Sequence, residues 1–463
     1  MDSLDNRNSE EEYQLLATGS PSSYPSHVQR RRRSRVQGCL RHHTLRRILG
    51  FVVLIPIFLL LGVLWSGVPP SFEDIREFER NLPQHYVTQV HAKGGKYIRF
   101  PDHLWGHGFN NVLQEALLLH YVAEKSDRSY VFEDYVWSHL PFRYTLYDFA
   151  LRPVRLPMNA FISGPTAGSL GPHSAAVNVE FWDMVCPPHM RRVISSKDSP
   201  SDAEGNEIVD WWVERLKVVQ DDCLEIDSKE KVIFDRAFFD SDRIISLWPD
   251  FSSSPIITRY LWSPLVYSAL LRNFPILQPE SIPALYDFST NTTLTGLVAL
   301  HLRRGDYKRH CPRLAGWKSQ YNGLNRLSDL PDKFDSSPYT YESDEYNDYY
   351  MQHCLPTVEQ LVTRLSEIRK ENQELKRVYV LTNAWGFWLN GLKEALLKDG
   401  WQDLKSTLDL FLDPKQAQVA AAVDMAIAER SQVFIGNGFS SLTSNIIMLR
   451  MVKGLKVSSN RFL

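Results

Sequence analysis

Apolar residues are spread unevenly along this chain. Between Ile48 and Val68 there is no charged residue, and the run Phe51-Val52-Val53-Leu54-Ile55-Pro56-Ile57-Phe58-Leu59-Leu60-Leu61 is broken only by Pro56. Roughly 20 apolar residues span a bilayer, so residues 48–68 are predicted to form a membrane helix, and proline is tolerated in such helices. Beyond it the period shortens. The runs Tyr97–Phe100, Ser129–Phe132, Leu297–Leu302, Val378–Leu381 and Gln432–Ile435 read as strands. Between them lie segments of helical spacing: 112–124, where Leu117, Leu118, Tyr121 and Val122 share a face, then 255–274, 357–371, 389–397, 416–429 and a last one from Ser440 or Ser441 to about Val452. Strands alternating with helices predict mostly parallel sheets.

The pattern divides the chain into segments. Residues 1–47 are polar and rich in Ser, Pro and Arg, and are predicted to be a disordered tail. Residues 69–90 form a stem. An amino-terminal α/β domain is expected over 91–285, with an irregular region at 152–205, and a carboxyl-terminal α/β domain over 286–463. The second domain carries a polar, tyrosine-rich insertion at 311–350, with Tyr339, Tyr341, Tyr346, Tyr349 and Tyr350.

Charge adds a direction. The net charge of −2 hides nine Arg against five acidic residues in 1–47, which leaves −6 on the rest. That acidic bulk argues against nucleic-acid binding. Arginines crowd only the amino-terminal flank of the apolar run, so the tail is expected in the cytosol and the bulk in the lumen, as in a type II signal anchor. Cleavage as a signal peptide is the competing reading; the run lies too far in and is too long for it. Cys39 falls on the cytosolic side. Cys186, Cys223, Cys311 and Cys354 fall on the lumenal side, where disulfides form. Three connectivities are open. Cys186–Cys223 with Cys311–Cys354 is favoured, because each pair stays within one expected domain. Asn291-Thr292-Thr293 is a glycosylation sequon.

Three segments carry candidate chemistry. In Gly106-His107-Gly108-Phe109-Asn110-Asn111, glycines precede a helix whose first N–H groups attract anions. In His301-Leu302-Arg303-Arg304-Gly305-Asp306, a strand runs out into two guanidiniums that match phosphate geometry. His301 and Arg303 share one face by period two, while Arg304 is expected to pair with Asp306 or another carboxylate. In Phe434-Ile435-Gly436-Asn437-Gly438-Phe439-Ser440-Ser441-Leu442-Thr443, a strand meets a glycine turn and then hydroxyls at a helix start. Plain N-capping by Ser440 or Ser441 is the simpler alternative. Asp424 alone reads as a solvated helix residue. Asp240-Ser241-Asp242 reads as a turn, with metal binding a minority reading, and no Cys/His spacing suggests zinc.

In order, these three segments resemble the GDP-fucose protein O-fucosyltransferase family. Gly108-Phe109-Asn110-Asn111 looks like its Gly-Phe-Asn loop, His301-Leu302-Arg303 like its His-x-Arg motif, and Phe434–Asn437 with Ser440, Ser441 and Thr443 like its carboxyl-terminal segment. The resemblance implies a GT-B fold, two Rossmann-like domains facing a cleft, with GDP-fucose as donor, inversion at the fucose anomeric carbon and no required metal or other cofactor. It further implies Arg303 on the leaving phosphate, Asn110 or Asn111 on phosphate or acceptor, His301 and Asp424 on the nucleoside, and Ser440, Ser441 and Thr443 on phosphate oxygens. Gly108 and Phe109 belong to the donor loop. Some members place a glutamate where His107 stands here, which makes His107 a candidate general base. The expected function is fucosyl transfer to a protein or glycan hydroxyl at the Golgi or endoplasmic reticulum membrane. A membrane-anchored protein that keeps the fold without transfer is the alternative.

Overall fold

A computed structural model describes residues 36–85, 95–101, 108–136, 142–147, 150–168, 176–227, 229–280 and 293–463. His107 and Asn291 lie outside the described residues. The chain divides into two compact units, Met1–Leu64 and Trp65–Leu463.

Helix α1 covers Val36–Ser66 with Pro56 inside it. It starts well before the apolar run, so the last part of the stretch read as disordered tail is helical. Leu49, Phe51, Val52 and Leu60 are exposed along it. Among the described residues no helix is long and apolar enough to cross a membrane. Several side chains between 48 and 66 lie outside the description, so the anchor stays a reading of the sequence.

The second unit contains two five-stranded sheets. Strands β1 (Tyr97–Arg99), β2 (Ser129–Phe132), β3 (Val177–Asn178), β4 (Arg192–Ile194) and β5 (Cys223–Ile226) form the first, in the order β3-β2-β1-β5-β4. Strands β6 (Leu294–Leu302), β7 (Arg377–Thr382), β8 (Asp403–Ser406), β9 (Ser431–Gly436) and β10 (Asn460–Phe462) form the second, in the order β8-β7-β6-β9-β10. Every pairing in both is parallel, as the alternation of elements predicts. In each sheet the chain starts at the central strand, winds one way, then reverses. Ligands of open α/β sheets bind where the order reverses, at the carboxyl ends of the strands. In the second sheet that point lies between β6 and β9.

The two faces of β6 serve different cores. Leu297 and Ala299 join the large cluster that also contains Phe109, Leu113 and Phe161 from the first half of the unit. Val298, Leu300 and Leu302 join a separate cluster with Leu365, Leu392 and Leu396. Period-two alternation then turns His301 toward the first half. Helix α2 covers Glu73–Arg80, α3 Phe109–Lys125, α4 Gly205–Lys217, α5 Pro264–Leu277, α6 Tyr307–Gly316, α7 Asp344–Cys354, α8 Val358–Glu371, α9 Gly386–Lys398, α10 Ala420–Arg430 and α11 Ser441–Val452. Thr357 and Gln360 close a capping box at the start of α8.

Some elements differ from the sequence expectation. The segment 255–274 is interrupted before α5, where Ser263 caps a helix that starts at Pro264. The segment 416–429 breaks at Val419. The irregular region 152–205 contains β3 and β4, each two or three residues long. Both favoured disulfides form, Cys186–Cys223 and Cys311–Cys354.

Arg450 fixes the far end of α11. It is fully buried and donates to the carbonyl oxygens of Ala428 at 3.1 Å and Ser431 at 2.6 Å and to Asn460 Oδ1 at 2.7 Å. One guanidinium thus joins α11 to the end of α10, to β9 and to β10. Arg450→Met would leave those acceptors unpaired in the core, at a cost of about 3 kcal/mol or more. A lower urea midpoint at unchanged slope is expected, and an unchanged midpoint would show that the network contributes nothing net.

Candidate functional site

The three sequence segments meet at the start of α11. Gly436, the last residue of β9, lies against Thr443: a Cβ built on it would fall 2.2 Å from Thr443 Cγ2. With no side chain there, Thr443 fits over the strand end, and its Oγ1 lies 2.9 Å from His301 Nδ1. One residue on, Ser444 Oγ accepts from Gln114 of α3 at 3.1 Å. Next, Asn445 Nδ2 donates to the Asn110 carbonyl oxygen at 2.9 Å and to its Oδ1 at 3.2 Å. Successive positions of one helix therefore hold the second segment at His301, helix α3 at Gln114, and the first segment at Asn110.

This arrangement revises several expectations. Helix α3 begins at Phe109, not near 112, so Asn110 and Asn111 form its first turn while Gly108 occupies the N-cap. The Phe109 ring is buried, stacked on Phe161 at 4.2 Å, so it packs the core and only its backbone can face a ligand. Thr443 is likewise fully buried with its hydroxyl on His301; it orients the imidazole instead of meeting a phosphate. Ser440 stands at the N-cap of α11 with no side-chain cap bond, so simple capping does not account for its hydroxyl.

Arg303 and Arg304 part at the strand exit. Arg303 Nη2 lies 2.5 Å from Asp306 Oδ2, and its guanidinium sits 5.2 Å from the centre of the Tyr307 ring. Arg304, expected to meet a carboxylate, instead stacks on Trp388 at 4.2 Å and donates to the Pro356 carbonyl oxygen at 2.6 Å. Asn383, just past the end of β7, ties the turn together. Its Oδ1 accepts from Arg304 N at 2.8 Å and its Nδ2 donates to Asp306 Oδ1 at 3.0 Å. Burial pushes the Asp306 carboxyl up, but Arg303 and Asn383 outweigh it and hold it below the ordinary range. Asp306 is thus a charged partner that keeps Arg303 at the crevice.

Asp424 is not a solvated helix residue. It is buried, accepts from Tyr379 Oη at 2.5 Å and from Thr407 Oγ1 at 2.8 Å. Burial pushes its carboxyl up to about 7 against the lowering effect of those two donors. Asp240 and Asp242 are held by Asn322 at 3.1 Å and Arg326 at 2.8 Å. No group of residues suited to a metal ion occurs among the described residues.

Sequence reasoning missed Asn383, Tyr379, Thr407 and Gln114. Asn383 and Thr407 follow the ends of β7 and β8, as Arg303 follows β6. The strand-end rule applied to Arg303 would have marked both.

Burial, helped by the charge on Arg303, lowers the His301 pKa to about 3, so the imidazole is neutral at physiological pH. The unfolded chain takes up a proton near 6.5 that the folded chain refuses until about 3. Stability is therefore complete above pH 6.5 and falls as the pH drops through that window. His85 and His310, both held near 4 by burial, add to the same slope. His301→Gln should reduce the stability lost between pH 7.5 and 5 by ~2 kcal/mol in urea titrations; an unchanged pH slope would mean that His301 titrates normally.

Residues 267–453 match the family described as GDP-fucose protein O-fucosyltransferase. Comparison with curated proteins gives no match. Among solved structures the chain is similar to POFUT1 in complex with GDP, at 15% identity over 77% of this chain and 94% of that one, with a TM-score of 0.43. For POFUT1 in complex with GDP-fucose the figures are 15%, 77% and 95%, with a TM-score of 0.44. A mutant of Arabidopsis thaliana FUT1 in complex with GDP shares 11% identity over 82% of this chain and 73% of that one, with a TM-score of 0.35. The matched stretch runs from α5 through α11 and holds His301–Asp306, Asp424 and Gly436–Thr443. Over this stretch the chain is similar to the GDP-fucose protein O-fucosyltransferase family.

Proposed function

We propose that this protein is an inverting fucosyltransferase that moves fucose from GDP-fucose to a hydroxyl of a protein or glycan acceptor. The observation that carries the reading is the convergence of all three candidate segments on the start of α11, at the reversal point of the second sheet. In this reading the two sheets belong to two Rossmann-like halves of a GT-B arrangement, with boundaries near 91–285 and 286–463. Residues 48–68 anchor the chain as a type II protein, with the catalytic part in the lumen of the Golgi or endoplasmic reticulum.

In the reaction an acceptor oxygen attacks the fucose anomeric carbon from the face opposite the phosphate. The bond from that carbon to the phosphate oxygen breaks, and GDP leaves with the electron pair. Arg303 meets the charge that develops on the phosphate, and the first-turn amides and hydroxyls of Ser440 and Ser441 meet the rest. Fixed donors aimed at developing charge are a strong catalytic device. Asp306 and Asn383 keep Arg303 in place. Asn110 and Asn111 approach from α3, and Asp424 contacts the nucleoside. His107 receives the acceptor proton.

Calorimetry on the full chain in detergent tests the donor site. GDP and GDP-fucose should bind, and Arg303→Ala should weaken both by at least about tenfold, the loss expected for a charge-assisted hydrogen bond. Failure of the folded parent to bind either ligand would defeat the reading. For the base, His107→Ala should lower turnover while GDP-fucose affinity stays near that of the parent, and full turnover in the variant would remove His107 from the mechanism.

A further inference from the structure

We infer that Asn325, in the tyrosine-rich insertion, is a positioning residue for the phosphate-facing turn at 436–441; the inference rests on the donor-site reading above. The insertion is closed by Cys311–Cys354, and its residues 321–325 wrap the outer side of that turn. The Tyr321 ring lies where a Cβ on Gly438 would stand, 2.4 Å from that point. The Gly438 carbonyl oxygen accepts from Asn322 N at 2.9 Å and from Asn325 Nδ2 at 2.9 Å. The same Nδ2 reaches the Ser440 carbonyl oxygen at 3.3 Å. From the end of the insertion, the Cys354 carbonyl oxygen accepts from Asn437 Nδ2 at 2.8 Å.

Two features separate Asn325 from an ordinary packing residue. Its amide orientation is fixed, because both neighbours are carbonyl oxygens and only the NH2 group can serve them. Its Oδ1 is buried and has no partner among the described residues. An unpaired buried acceptor costs about 1–3 kcal/mol, which a side chain present only to fill space would avoid. The consequence for the site follows from peptide geometry. The C=O and N–H of a trans peptide point in opposite directions. The Ser440 carbonyl oxygen accepts from Ser444 N of its own helix at 3.2 Å, and Asn325 is a second donor on it; together they aim the Ser441 N–H the other way, and that N–H is one of the first-turn donors that no carbonyl of α11 can satisfy. Asn325 touches no substrate; it braces, from the insertion side, a turn whose last peptide presents a group that does.

The test measures GDP and guanosine binding by the full chain in detergent, for the parent, Asn325→Ala and Asn325→Leu. Asn325→Leu keeps the size, removes both donors and adds no charge, so it carries the test if the alanine variant fails to fold. Leu396→Ala, in the separate core cluster, serves as a control of comparable stability loss. Expected is about a tenfold loss of GDP affinity, the worth of up to two hydrogen bonds, with guanosine affinity unchanged and the control binding GDP like the parent. Parent-like GDP binding in both variants, or equal losses for GDP and guanosine, would overturn the inference while leaving the donor site standing. A parent that binds no GDP would instead defeat the donor-site reading itself.

Discussion

The absence of a side chain at Gly436 is the constraint on which this architecture turns. It lets Thr443 settle on the end of β9 and reach His301 on β6. That contact joins the two central strands of the second sheet at their carboxyl ends, where the winding of the chain reverses. A methyl group at this glycine would drive into Thr443 and push α11 off the sheet. The hydrogen bonds from Ser444 and Asn445 to α3 would lose register with it, because their positions are set one and two residues along the same helix.

The polar groups around this point sort by burial. His301, Thr443 and Asp424 are inside, and each is matched to a neutral or hydroxyl partner. Arg303 and Asp306 stay at the water boundary as a charged pair. Such a division suits the phosphate-facing role proposed for this site. A buried guanidinium would resist leaving its partners, whereas a half-exposed one held by a carboxylate stays available at small cost. The neutral imidazole behind it keeps a second positive charge away from Arg303.

Much of the second sheet was legible because its central strands are long, apolar and flanked by well-capped helices. Thr357 with Gln360 and the run from Leu297 to Leu302 announce themselves by pattern alone. The short strands did not, since β3, β4 and β10 hold two or three residues each and depend on the sheet beside them. The break before Pro264 was hidden because apolar spacing continues across it. At the site, the charged and hydroxyl residues were legible from their types. Their partners were not: whether Arg303 or Arg304 would take Asp306 depends on where Trp388 and Asn383 lie, and both are far away in sequence. The burial of Thr443 depends on a contact with a glycine that no local pattern reveals.

The two ends of α11 have different freedoms. At its carboxyl end Arg450 is locked to backbone carbonyls and to the edge strand. At its start it meets α3 through a few side-chain amides and one hydroxyl. The helix is thus an anvil fixed to its own sheet, and it can move little without breaking the core. Helix α3 is buried from Val112 to Ala123 in the same core as Ile446, Ile447 and Leu449 of α11, so the polar contacts at the start of α11 fix the register of two helices that apolar packing already joins.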